Sequence, residues 1–140
     1  MSVPAPAALE ITGIACVYLP VLDVYASTQW YMKNLGLDVD PHTPLVPEMR
    51  HAMLTYPARG PALFLLSSES IASPTFRRRD GEEALYFCFY VTDSQALLDR
   101  LKANGVRLET EELVEWGGCT TNIRCYDPDG NKLEFCQARD

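Results

Sequence analysis

The chain has 140 residues, 47% of them hydrophobic, and a formal net charge of -7 at pH 7. That length suits one compact domain with a sizeable core, and the acidic balance argues against a nucleic-acid partner, because phosphate contacts need clustered Lys and Arg. Its five cysteines are odd in number and form no CxxC pair, and no apolar run approaches the roughly 20 residues that span a bilayer, so the reading is reduced thiols in a cytoplasm and no membrane partner.

In chain order, residues 1–10 are a loose extended lead-in with Pro4, Pro6 and several alanines, and they lack a basic stretch followed by a hydrophobic one. Residues 11–19 read as a strand ended by Pro20. Asp23 is placed to cap a helix running to Asn34, which Gly36 stops. Val24, Thr28, Tyr31 and Leu35 recur at three- and four-residue spacing and give that helix one face to bury. Residues 37–40 begin a second strand, interrupted by Pro41, Pro44 and Pro47, and residues 49–56 and 62–67 form a hairpin around Pro57-Ala58-Arg59-Gly60. A linker over 71–83 carries the only basic cluster, Arg77-Arg78-Arg79, followed at once by Asp80, Glu82 and Glu83, as a solvated segment would be.

Residues 84–91 make the next strand. Asp93 caps a second helix with Ala96, Leu97, Leu101 and Val106 near its buried side, and residues 107–114 form a strand. Trp116-Gly117-Gly118 turns the chain. Residues 119–126 and 132–137 then flank Asp127-Pro128-Asp129-Gly130-Asn131, a clear hairpin signal.

Positions seventy residues apart match throughout: Cys16 with Tyr86, Asp23 with Asp93, Phe64 with Glu134. A repeat this long, with its elements in one order, means two copies of one unit. Each half reads as βαβββ, residues 11–70 and 84–138, inside a single domain over 11–138. A doubled unit of this kind encloses a cleft where its halves face each other.

The stretch from Asp23 to Leu37 with Trp30-Tyr31 and Leu35-Gly36-Leu37, the stretch from Asp93 to Val106, and Asp127-Pro128-Asp129-Gly130-Asn131-Lys132-Leu133-Glu134-Phe135 together resemble the vicinal oxygen chelate superfamily. That family includes glyoxalase I, extradiol dioxygenases, fosfomycin-resistance enzymes and bleomycin-resistance proteins. The resemblance implies an α+β fold, two βαβββ units forming a curved mixed sheet around a cleft, and a two-fold homodimer. In metal-dependent members the ligands come from the first and last strands of each half, usually His or Gln first and Glu last. Carried over, those places are Cys16, Phe64, Tyr86 and Glu134, of which only Glu134 is the expected type. Phe64 has no donor at all, and His42 and His51 fall off the ligand positions, so no metal and no other cofactor is expected.

Strand alternation then sorts the side chains. With Cys16, Phe64, Tyr86 and Glu134 facing the cleft, Ile14, Tyr18, Ala62, Leu66, Cys88, Tyr90 and Cys136 face it too, and Ala15, Val17, Leu63, Leu65, Phe87, Phe89, Leu133 and Phe135 pack beneath the helices. An aromatic concavity with few polar groups is the profile of a small-molecule site. The expected ligand-binding set is Cys16, Tyr18, Phe64, Tyr86, Tyr90, Trp116 and Glu134. Tyr18, Tyr86, Tyr90 and Phe64 would stack on a ligand, Glu134 would orient it or pair with a cationic group, and Trp116 would border the mouth. Space-filling tyrosines and a Trp116 that anchors the sheet edge are the bland alternatives. No histidine is placed to activate Cys16, so no catalytic residue is assigned and the question of an enzyme stays open. The reading is a metal-free small-molecule-binding protein that sequesters an antibiotic or a hydrophobic or cationic metabolite. The alternative is a metal-dependent lyase, isomerase or dioxygenase with a non-standard metal site.

Overall fold

A computed structural model of the chain describes residues 10–57, 60–116 and 120–137. The first half contributes β1 (Cys16–Val21), α1 (Val24–Leu35), β2 (Asp38–Val39), β3 (His51–Thr55) and β4 (Ala62–Ser67). A small hairpin, β5 (Thr75–Arg77) and β6 (Glu83–Leu85), follows. The second half contributes β7 (Phe89–Val91), α2 (Ser94–Ala103), β8 (Val114–Trp116), β9 (Thr120–Tyr126) and β10 (Lys132–Gln137). Each half is the expected βαβββ unit, and each forms a four-stranded sheet, ordered β1-β4-β3-β2 in one and β7-β10-β9-β8 in the other. In both, the first and last strands run parallel and the remaining neighbours antiparallel.

Local chemistry fixes the helices. The Asp23 and Asp93 carboxylates accept the N–H groups of Ala26 and Ala96, satisfying a donor that the first turn leaves orphaned. Gly36, at φ 67°, takes the left-handed conformation that ends α1, and its N–H bonds the Met32 carbonyl. Of the face read from spacing, Val24, Thr28 and Tyr31 are buried and Leu35 is half-buried. On α2 the buried apolar residues are Leu98 and Leu101, whereas Leu97 is half-buried and Ala96 is exposed.

Period-two alternation holds in both sheets. Leu19, Val21, Ala52, Leu54, Leu63 and Leu65 from the first, and Ile123, Cys125, Leu133 and Phe135 from the second, join the helices in one core. The halves are also tied by polar contacts around the 127–131 turn. Tyr31 Oη donates to Asp127 Oδ2 at 2.8 Å, Asn131 Nδ2 donates to the Pro20 carbonyl at 2.9 Å, and the Leu22 N–H donates to Asp129 Oδ2 at 3.1 Å.

Several strand boundaries differ from the sequence reading: β1 begins at Cys16 and not at residue 11, so Ile14 lies before it, and β3 is shorter than the expected 49–56. Pro20 does not end β1, which continues to Val21 with Pro20 opposite Leu66. Among the described residues β1 pairs only with β4, so the N–H that proline lacks is not needed on the outer edge. The expected strand over 84–91 is two strands, β6 and β7, because Glu83–Leu85 is drawn to β5 by the tight turn at Gly81. The arginine-rich segment is that hairpin's exposed turn, where Arg78 pairs with Asp80. Residues 107–114 are a bridge at Leu108 and then loop, with Thr110 Oγ1 bonding the Glu112 carbonyl before β8 begins.

Candidate functional site

The first sheet's open face carries an aromatic shelf. Tyr18 on β1 sits directly opposite Phe64 on β4, their rings 5.6 Å apart and tilted by 56°. His51 on β3 stacks on Phe64 at 5.8 Å and 16°. Cys16 lies two residues before Tyr18 on the same side of the strand, and a hydrogen bond with it, followed by its charge, raises the pKa of the tyrosine hydroxyl. The shelf is apolar at its centre, where the Phe64 ring lies between Tyr18 and His51.

The second sheet's open face is ionic. Glu134 on β10 faces Arg124 on β9 in register, with Arg124 Nε 3.7 Å from Glu134 Oε1. Arg124 also approaches Glu109 at 3.6 Å, and Lys132 Nζ bonds Glu109 at 2.7 Å and Glu83 on the β6 hairpin. Three carboxylates and two cations thus form one chain of contacts. Burial pushes the Glu134 carboxyl above the usual carboxylate range, and Arg124 works against that shift. Burial opposes the Lys132 charge, but hydrogen bonds to Glu109 and Glu83 outweigh it and hold the ammonium above its ordinary range. The Cys88 thiol, although exposed on the surface, is pushed up by desolvation first and by Glu134 next.

The expected site residues therefore form two groups. Cys16, Tyr18 and Phe64 share the first sheet; Tyr86, Tyr90 and Glu134 belong to the second half, with Tyr86 packed on Phe76 of the β5–β6 hairpin at 5.2 Å. Among the described residues no strand pairing joins β1 to β7 and no ring contact joins the two open faces. Tyr18, Tyr86 and Tyr90 are 64%, 69% and 81% exposed. These tyrosines do not fill an internal space. Trp116 closes β8 through its backbone opposite Thr120, and its side chain and the Gly117-Gly118-Cys119 turn lie outside the described residues.

Met53, Lys132 and Glu109 join these faces without having been singled out from sequence, and so does His51, which the sequence reading weighed only as a metal ligand. A signal for two of them existed: a hairpin looped at 57–60 places His51 opposite Leu66 and Met53 opposite Phe64, as observed. Arg124 on β9 shares the open face with Glu134.

The four family ligand positions do not fit a divalent cation within one chain. Phe64 offers no lone pair, Glu134 is engaged by Arg124, and Cys16 and Glu134 belong to different sheets. Among the described residues no three His, Cys, Asp or Glu side chains come together as a metal site.

Comparison with known proteins places this geometry. The family model described as Glyoxalase/Bleomycin resistance protein/Dioxygenase superfamily matches residues 13–135. None of the curated proteins matches the sequence significantly. Among solved structures, a member of that superfamily from Sphaerobacter thermophilus aligns with TM-score 0.70 at 18% identity over 91% of this chain and 98% of its own. TnmS3, an antibiotic binding protein from Streptomyces sp. CB03234, aligns with TM-score 0.69 at 19% identity over 94% and 99%. The fosfomycin resistance protein FosX from Listeria monocytogenes aligns with TM-score 0.66 at 17% identity over 93% and 96%. At these identities the likeness is one of fold.

Proposed function

Because the chain belongs to the glyoxalase/bleomycin resistance protein/dioxygenase superfamily, whose members differ in chemistry, we propose from its own side chains that it binds a small planar aromatic molecule without a metal. The observation that carries this reading is Phe64. It occupies a family ligand position, has no donor atom of its own, and stands between two rings, Tyr18 and His51. A flat π-surface recognises a flat ligand by offset stacking and area burial, not by coordination.

The second wall comes from the other half. Tyr86, Tyr90 and Glu134 supply rings and an anion, with Trp116 bordering the mouth and Cys16 at the floor of the shelf. The ionic chain counts three carboxylates against two cations, a net charge of -1, so a polar or weakly cationic edge on the ligand suits it. An antibiotic or metabolite of that shape is the proposed guest, held and not transformed. TnmS3 gives the reading a precedent in this fold.

The two walls meet through a second copy. Among the described residues β1 and β7 each keep one free edge, and the rings beside them are exposed, which is the state of a sheet that pairs with another chain. We propose a homodimer in which one copy's first sheet faces the other's second sheet. Its working place is proposed as the cytoplasm, where the free Cys16, Cys88, Cys125 and Cys136 stay reduced. No helix of the described residues is long and apolar enough to cross a membrane.

The test is a thermal-shift screen of aromatic and glycopeptide antibiotics beside zinc, nickel, manganese and iron, with Phe64→Ala as control. An aromatic compound that raises the melting temperature of the protein, and fails to do so with Phe64→Ala, supports the reading. Near-stoichiometric metal in protein purified without chelator, with stabilisation by that metal alone, would replace it with a metal-dependent lyase, isomerase or dioxygenase.

A further inference from the structure

A cavity of about 550 Å³ opens between the two halves, beside β7 and α2; Tyr18, Phe64 and His51 do not line it, whereas Cys88 and Tyr90 from the open face of the second sheet reach its edge. Its volume lies in the range of roughly 300–1,000 Å³ typical of small-molecule sites. Val17, Leu97, Phe89 and Phe135 line it, all on the apolar helix-facing side of their elements. The phenylalanines form a continuous floor: Phe87 meets Phe89 edge-on at 5.3 Å, and Phe89 stacks on Phe135 at 5.2 Å. Phe87 and Phe89 remain only half-buried, so the core stops short of covering them.

Among the described residues, one cation lines this apolar space. Arg100, in the last turn of α2, lays its guanidinium over Gly36, where a Cβ would lie 3.7 Å from Nη1. Among the described residues its side chain has neither a carboxylate partner nor a hydrogen bond. The other charged group lining the cavity, Asp93, already accepts the Ala96 N–H at the start of α2. Seven residues separate it from Arg100, about 10 Å at 1.5 Å per residue, two helical turns.

We propose that this cavity binds an amphipathic carboxylate of medium chain length, its tail on the phenylalanine floor and its head group on Arg100. Charge selects the class: a guanidinium matches a carboxylate in a planar two-bond geometry. The capped Asp93 at the far end keeps the anionic head at the Arg100 end. Length follows from the two turns of α2 that separate the charged ends. Tyr90 borders both this cavity and the proposed second wall, but Tyr18, Phe64 and His51, on which the shelf's reading rests, do not line it, and the Phe64→Ala control tests that reading separately.

Titration of the full chain with decanoate, followed by calorimetry, tests it, with decyltrimethylammonium as the cation of equal tail. Saturable binding near one decanoate per chain is expected, weakened about tenfold or more by Arg100→Gln and abolished by Leu97→Trp, which fills the space. Arg78→Gln, a cation on the β5–β6 hairpin, leaves the affinity unchanged. Should Leu97→Trp fail to fold by circular dichroism, Ala96→Phe on the exposed rim of the same cavity replaces it. Absence of saturable binding, equal affinity for the cation, or an unaffected Arg100→Gln would overturn the proposal. So would binding that appears only after residues 1–9 are removed, which would assign the cavity to that segment, or only where the chain is monomeric, which would assign it to a second copy.

Discussion

Asn104 Nδ2 donates to Asn34 Oδ1 at 2.8 Å, across a separation of seventy residues, so the two residues that the internal repeat makes equivalent touch each other. Equivalent positions meet only near the axis that relates the halves. That axis therefore passes by the C-terminal ends of α1 and α2, and the sheets lie on either side of it. Asn34 is buried and its own amide also donates to the Trp30 carbonyl. Replacing either asparagine by alanine is expected to destabilise the fold by about 1 kcal/mol. A double-mutant cycle should return a coupling of roughly 0.5–1.5 kcal/mol; a coupling near zero would show that the pair bears no weight between the halves.

The Tyr31 hydroxyl is the larger tie. Burial, first, then the Asp127 charge, raises its pKa far above the ordinary value, so it stays a donor at any physiological pH. Burial also raises the pKa of Asp127, against the hydrogen bonds from Asn131 and Tyr31 that lower it. A carboxyl raised in the folded state favours folding at low pH, and that contribution is lost as pH rises through the folded pKa. Tyr31→Phe removes one of the lowering bonds, so its deficit, about 1–3 kcal/mol, is expected to be larger at pH 7 than near pH 4. Chemical denaturation at the two pH values measures it, and an equal deficit at both would contradict the assignment.

Lys132 is buried between Glu83 and Glu109, so Lys132→Met strands Glu83 and leaves Glu109 with Arg124 alone. Both carboxylates are part-exposed, and a loss of roughly 1–3 kcal/mol is expected in place of the larger figure for fully buried pairs. The Lys132 hydrogen bond lowers the Glu83 pKa below 4.5, a contribution present above that pH and lost as pH falls through the folded value. Melting curves from pH 6 down to pH 3 should accordingly be flatter for the variant than for the parent.

Glu134 behaves in the opposite sense. Its folded pKa is raised by burial, so the stability tied to its protonation is present below 4.5 and lost as pH rises through the folded value. Glu134→Gln stays neutral and escapes that loss while giving up the partner of Arg124, which keeps Glu109. A net change within about 1 kcal/mol at pH 7 is expected, in the melting of the unliganded protein. A drop of several times that size would make Glu134 a structural anchor and remove it from ligand recognition.

The doubling, both helices with their aspartate caps, the Gly36 stop and the 127–131 hairpin were legible in the sequence because each depends on residues close together in the chain. Spacing of seventy exposed the repeat, and period-two alternation by itself separated Phe64 and Glu134 from Leu63 and Phe135. The division of residues 84–91 was not legible, because the β5 partner and the neighbouring β10 compete for one apolar stretch and only long-range pairing decides between them. The continuation of β1 through Pro20 depended likewise on that strand lying at an edge. His51 and Arg124 joined the open faces through cross-strand neighbours, a relation that a linear pattern weakens with each added strand.

By itself, then, the sequence determined which unit is repeated, which face of each strand is apolar and that only Glu134 of the family's four ligand positions carries the usual residue, since side-chain chemistry and local period are properties of the chain. Tertiary structure alone decided that Glu134 faces Arg124, that the aromatic shelf and the ionic face lie on separate sheets, and that a cavity opens beside Arg100. Those are distances between residues far apart in sequence, and packing sets them only once both halves share a core.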